Sequence, residues 1–141
     1  MQNKKRSAHF SKLEVGMSAQ ISRVFTQEDI KKFAHLSGDT NPLHIDQAFA
    51  QKSTFSDCLV HGALTSSLIS TLAGCYLPGY GSIFLEQSFR YLAPVYIDYE
   101  TIAKVTIINL RTKYRHVTLQ AECFSQNQQT LTGNILVKAP L

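Results

Sequence analysis

The stretch Gly62-Ala63-Leu64-Thr65-Ser66-Ser67-Leu68-Ile69-Ser70-Thr71-Leu72-Ala73-Gly74-Cys75-Tyr76-Leu77 is apolar or small at every helical angle, and Pro78-Gly79 ends it. A helix with no polar face must be wrapped by other structure. Its content of Ser and Thr, with His61 just before it, argues against a membrane span. The rest of the chain has to supply the wrapping.

The chain beyond Gly79 is rich in β-branched and aromatic residues, which predicts strands at Ser82–Leu92, Thr101–Leu110, Tyr114–Ser125 and Thr130–Lys138. Pro94, Asn109–Lys113 and Gln126–Gln129 carry the turn signals between them. The alternation is clearest in Val117-Thr118-Leu119-Gln120-Ala121-Glu122-Cys123, which predicts one buried and one solvated face. Upstream, Val15–Phe25 alternates loosely and reads as an early strand. Thr26 with Asp29 approximates a capping box, so a helix is expected from about Gln27, with Ile30, Phe33, Ala34 and Leu36 mostly on one face and Gly38 as its left-handed stop. One strand, a helical section and four more strands predict an α+β domain whose antiparallel sheet wraps one helix.

The helical section also contains Asp39-Thr40-Asn41-Pro42-Leu43-His44. Pro42 fixes its own φ and keeps Asn41 out of helical geometry, and the Asn41 side chain can bond nearby backbone, so the segment is expected to be a stiff turn. Asp46 then caps a short helix through Phe49 and Lys52, and Ser53–Asp57 is loop-like. An acid and an imidazole held across such a turn can act together on one small molecule such as water. From spacing alone, Asp39 and His44 are equally well explained as caps of neighbouring backbone groups.

Composition narrows the classes. The 141 residues, 44% hydrophobic and 17% charged, fit one domain, 1–141 with a core of about 15–138. The net charge of +4 is scattered, with short clusters at Lys4-Lys5-Arg6, Lys31-Lys32 and Arg111–Arg115 that read as solvated surface. Neither nucleic acid nor a membrane is indicated as a partner. Cys58, Cys75 and Cys123 are odd in number and far apart, which supports neither a disulfide framework nor a metal site and suggests a reducing compartment. The expected location is the cytoplasm. The alternative is the mitochondrial matrix, because Met1–Leu13 is basic and free of acids.

Ser37-Gly38-Asp39-Thr40-Asn41-Pro42-Leu43-His44-Ile45-Asp46, then Phe49-Ala50 and Val60-His61-Gly62, resembles the hydratase 2 motif of the MaoC-like dehydratase family. Leu77-Pro78-Gly79, Gly81-Ser82, Phe89 and Ala93-Pro94-Val95 extend the similarity to bacterial (R)-specific enoyl-CoA hydratases over roughly Thr26–Lys138. The resemblance implies a hot-dog fold, a homodimer, and the reversible syn hydration of a trans-2-enoyl thioester, carried on coenzyme A or acyl carrier protein, to the (R)-3-hydroxyacyl product. Asp39 and His44 match the catalytic pair, Gly62 the backbone donor to the thioester carbonyl, Asn41 the turn's structural asparagine, and Ser70 an active-site serine on the central helix. No cofactor or metal is implied, coenzyme A being part of the substrate. A hot-dog thioesterase and a non-catalytic acyl-binding subunit are the rival readings.

His61 reads as a ring bonded locally to hold its turn. Leu64, Leu68, Phe84 and Leu85 are the candidates for an acyl lining. The chain departs from the pattern at Gln47, where relatives often carry proline, and at Cys58. Gln47 bears on the stiffness of the Asp46 helix, while Cys58 and Ala63 bear on pocket shape.

Overall fold

The computed structural model describes residues 4–141, so Met1–Asn3 of the basic N-terminal stretch lie outside it. Strand β1 (Ser18–Val24) leads into helix α1 (Gln27–Ser37), the short helices α2 (Pro42–Ile45) and α3 (Gln47–Gln51), and the long helix α4 (Gly62–Cys75). Strands β2 (Ile83–Tyr91), β3 (Glu100–Arg111), β4 (His116–Ser125) and β5 (Gln128–Lys138) complete the chain. All five strands form one antiparallel sheet in the order β1-β3-β4-β5-β2.

The alternation in β4 has the expected effect. Val117, Leu119, Ala121 and Cys123 are buried, and Gln120 between them is exposed. Ala103, Val105 and Ile107 of β3 and Leu131, Ile135 and Val137 of β5 face the same way, onto Leu68, Ile69, Leu72 and Ala73 of α4. Each fully buried aliphatic side chain contributes about 1.5–3 kcal/mol over its exposed state, so this contact is the main stabilising layer. Between β4 and β5 the turn is only Gln126 and Asn127, with φ of 51° and 59°. Two left-handed residues match the twist of the strands they join.

The strands bend where the ladder slips, between Ile107 and Asn109 in β3 and between Phe84 and Glu86 in β2. An extra residue at such a point bends the strand and increases its twist, which lets the sheet curve around α4. Gly133 of β5 permits a close approach of β2, since a Cβ there would lie 1.9 Å from the Ser88 carbonyl oxygen of β2.

The wrapping of α4 is incomplete. Ala63, Ser67 and Ser70 are exposed in the chain, which corrects the expectation of a helix covered all round. Small hydroxyl residues satisfy themselves on that side, as Ser67 Oγ–H does by donating to the Leu64 carbonyl at 2.6 Å. The helix also stops at Cys75, short of Leu77. Leu36 of α1 is 84% exposed, off the buried face set by Ile30 and Ala34. Among the described residues no helix is long and apolar enough to cross a membrane.

Candidate active site

The turn from α1 to α2 is built by a chain of side-chain caps. Thr26 and Asp29 close a reciprocal capping box at the start of α1, and Gly38, at φ 78°, ends the helix with its N–H on the Ala34 carbonyl. The Asp39 N–H then donates to Ser37 Oγ at 3.1 Å, the Asn41 N–H to Asp39 Oδ1 at 3.2 Å, and the Leu43 N–H to Asn41 Oδ1 at 3.1 Å. Pro42 occupies the first position of α2, where its missing N–H costs nothing. The stiff turn is thus a single helical turn capped by Asn41, with Asp39 before it and His44 on it.

The segment leading into α4 holds the other side. Leu59 N–H donates to the Leu43 carbonyl at 3.0 Å, and Val60 N–H to the Val95 carbonyl at 2.8 Å. His44 Nδ1 lies 2.8 Å from the Leu59 carbonyl oxygen. A carbonyl can only accept, so Nδ1 carries the proton and the neutral ring keeps its lone pair on Nε2. His61 is 1% exposed, and its Nε2 lies 3.1 Å from the Asp39 carbonyl oxygen. The two imidazoles stack with centroids 3.9 Å apart and planes 28° from parallel, and Phe33 meets His61 edge-on at 4.8 Å. Burial, ahead of the neighbouring His44, holds the His61 pKa below its usual 6.5, against the opposing pull of the Asp39 carbonyl bond.

One potential donor or acceptor atom from each of Asp39, His44 and His61 lies within 4.8 Å of the others. A water making two hydrogen bonds of about 2.8 Å at its tetrahedral angle spans about 4.6 Å. The Asp39–His44 gap is no wider than 4.8 Å, within the reach of one bridging water.

Gly62, the first residue of α4, completes the group. The N-cap His61 makes no side-chain bond to the helix, unlike the caps of α1, α2 and α3. Leu64 and Thr65 N–H groups are satisfied by the His61 carbonyl, but the N–H of Gly62 has no acceptor among the described residues. With the helix dipole behind it, this donor favours a partial negative charge. A Cβ at Gly62 would sit 3.0 Å from Cε1 of Tyr91, so the absent side chain leaves room for that ring.

His44, Gly62 and Tyr91 line a cleft of about 360 Å³ together with Phe55, Leu59, Val60, Thr65, Leu92, Ala93, Pro94, Val95 and Thr130. The structure thus brings Asp39, Asn41, His44 and Gly62 together. It does not bring Ser70 with them: that residue is exposed, eight positions beyond Gly62 and about 12 Å along the axis. Nor do Leu64, Leu68, Phe84 and Leu85 line the cleft. Leu64 and Leu68 border a groove with Phe25 and Phe33, Phe84 packs on the core, and Leu85 is 43% exposed at the β2 bulge. The apolar walls come from Phe55, Leu59, Tyr91 and Pro94, and the only sequence signal for them lies in the family motifs that include Val60 and Pro94.

Residues 10–125 match the model of the MaoC-like domain. The chain belongs to that family. This MaoC-like chain is 43% identical to an (R)-specific enoyl-CoA hydratase of Aeromonas caviae, over 91% of the chain and 96% of the relative. It is 34% identical to an (R)-specific enoyl-CoA hydratase of Rhodospirillum rubrum, over 94% and 92%. The solved (R)-hydratase of A. caviae, described as involved in PHA biosynthesis, superposes with a TM-score of 0.89 at 42% identity, covering 92% of the MaoC-like chain and 98% of that structure. The expected hot-dog fold is the fold of this chain.

Proposed function

We propose that the protein is an (R)-specific enoyl-CoA hydratase, a hydro-lyase that adds water reversibly across the C2–C3 double bond of a trans-2-enoyl thioester. The observation that carries this reading is the closeness of Asp39 and His44, within one water's reach of each other, beside the unused N–H of Gly62. Hydration breaks one O–H bond of water and the C2–C3 π bond, forms C3–O and C2–H bonds, and leaves the thioester intact. The Asp39 carboxylate and His44 Nε2 hold the water, accept one proton from it as its oxygen meets C3, and return one proton to C2 on the same face. Negative charge that develops on the thioester oxygen is met by Gly62 N–H, a contact of the kind that supplies about 3 kcal/mol. The (R) outcome is supported by the names of the two relatives.

The reading needs no cofactor or metal, since coenzyme A or a carrier protein belongs to the substrate. A homodimer is part of the proposal, supported by the exposed small face of α4 and by the unpaired outer edge of β2, which exposes Ile83 and Leu85. So is a cytoplasmic location, supported by three unpaired cysteines. The test is to follow crotonyl-CoA with purified protein. Loss of the conjugated alkene without thiol release, giving the (R)-3-hydroxy product, is expected. Thiol release with the alkene retained would make the protein a thioesterase and overturn the proposal.

A further inference from the structure

We infer that His61 is a positioning residue, an imidazole held neutral at neutral pH, that fixes Asp39, His44 and Gly62 relative to one another. Three contacts carry this. Its Nε2–H donates to the backbone carbonyl of Asp39 at 3.1 Å, its ring stacks on His44 at 3.9 Å, and its own peptide joins directly to Gly62. No other described residue is seen to touch both members of the acid–imidazole pair through its side chain.

Neutrality follows from where the two ring nitrogens sit. Nε2 faces a carbonyl oxygen and must be protonated, which leaves Nδ1 as the unprotonated nitrogen. Nδ1 is buried and meets no partner among the described residues. A second proton there would place an N–H in the interior with nothing to accept it, on a ring in contact with His44. The charged and titratable groups that face His61 are Asp39 and His44, and Phe33 of α1 closes the remaining side. His61 can therefore press on His44 through a catalytic cycle without competing for its proton.

The inference rests on the hydratase reading for its kinetic consequence but not for its tautomer, and the test separates the two. Nitrogen-15 NMR of the imidazoles in the native protein is expected to show His61 as the neutral Nε2–H tautomer at neutral pH. An Nδ1–H tautomer or a cationic ring would overturn the inference whether or not the protein hydrates anything. In the kinetic arm, His61→Gln keeps an amide donor toward Asp39 and loses the stack, while His61→Phe keeps the stack and loses the donor. Each is expected to lower kcat on crotonyl-CoA by about tenfold or more with KM changed by less than about threefold. Native kcat in both variants, with an active native enzyme, would overturn the inference alone. An inactive native protein would overturn the hydratase reading, and the NMR result would then decide on His61.

Discussion

The Nδ1–H of His44 donates to the carbonyl oxygen of Leu59 across 2.8 Å, so the backbone just ahead of α4 decides which nitrogen of the imidazole keeps a lone pair. The imidazole of the proposed acid–imidazole pair and the segment that carries the Gly62 N–H are thereby locked to one another. His44→Ala is expected to lower turnover of crotonyl-CoA on the order of 10²-fold or more, and Asp39→Asn likewise, with circular dichroism unchanged. Near-native turnover in both would remove the pair from the mechanism.

Gly62 offers a sharper separation of site from fold. Alanine is a better helix former than glycine by about 1 kcal/mol in a helix interior, and less at a terminus, so Gly62→Ala should cost little stability in itself. The added methyl, however, lands 3.0 Å from the Tyr91 ring, beside the N–H proposed to meet the thioester oxygen. The expected result is a loss of about tenfold or more in kcat/KM with a melting temperature close to native. A fall in melting temperature with unchanged kcat/KM would mean that the glycine serves packing only.

The buried state of His61 makes stability depend on pH in a definite direction. Its folded-state pKa lies below the 6.5 of the free side chain, chiefly through burial. Between the two values the unfolded chain binds more protons than the folded one, so stability rises with pH. The contribution is complete above about pH 6.5 and is lost as the pH falls through the folded-state value. Thermal melts taken from about pH 7.5 to about pH 5.5 should fall more steeply for the native protein than for His61→Gln, which has no proton to take up. Parallel slopes would show that His61 is not the group responsible.

A second glycine tests the sheet. In Gly133→Ala the new Cβ would lie 1.9 Å from the Ser88 carbonyl oxygen and 2.9 Å from Cδ1 of Phe89, so β2 must shift away from β5. Because that pairing is the only one β2 makes within the described sheet, a loss on the order of 2 kcal/mol in urea unfolding is expected. Stability equal to native would show that the edge strand yields freely.

Much of this was legible in the chain itself, for identifiable reasons. Thr26 with Asp29, Gly38, and Asn41 with Pro42 are local signals, decided by residues a few positions apart, and each forms the expected cap or stop. The alternation of β4 has a short period and fixes its inner face from the residue pattern alone. The cleft walls were not legible in the same way. Phe55 and Tyr91 line the cleft with His44 from separate parts of the chain, beside the Val60–Val95 hydrogen bond, and no periodicity reports such long-range pairing. Leu64 and Leu68 illustrate the same limit, since a helix apolar all round does not say which side faces which groove. The exposed side of α4 escaped for that reason too.

The strand order places the last three strands in sequence, β3, β4 and β5, side by side at the centre, and the two earliest at the rims. Short loops join the central three, so they can close as successive hairpins at small entropic cost. β1, by contrast, must bring Ala19 to Val105. The polypeptide therefore acquires its platform from its C-terminal third, and the turn bearing Asp39 and His44, with the Leu59–His61 segment it bonds to, emerges well before that platform is complete. Pulse-labelled hydrogen exchange during refolding should find the amides of β3 to β5 protected ahead of those of β1, with the Asp39–His44 turn among the last regions to acquire protection.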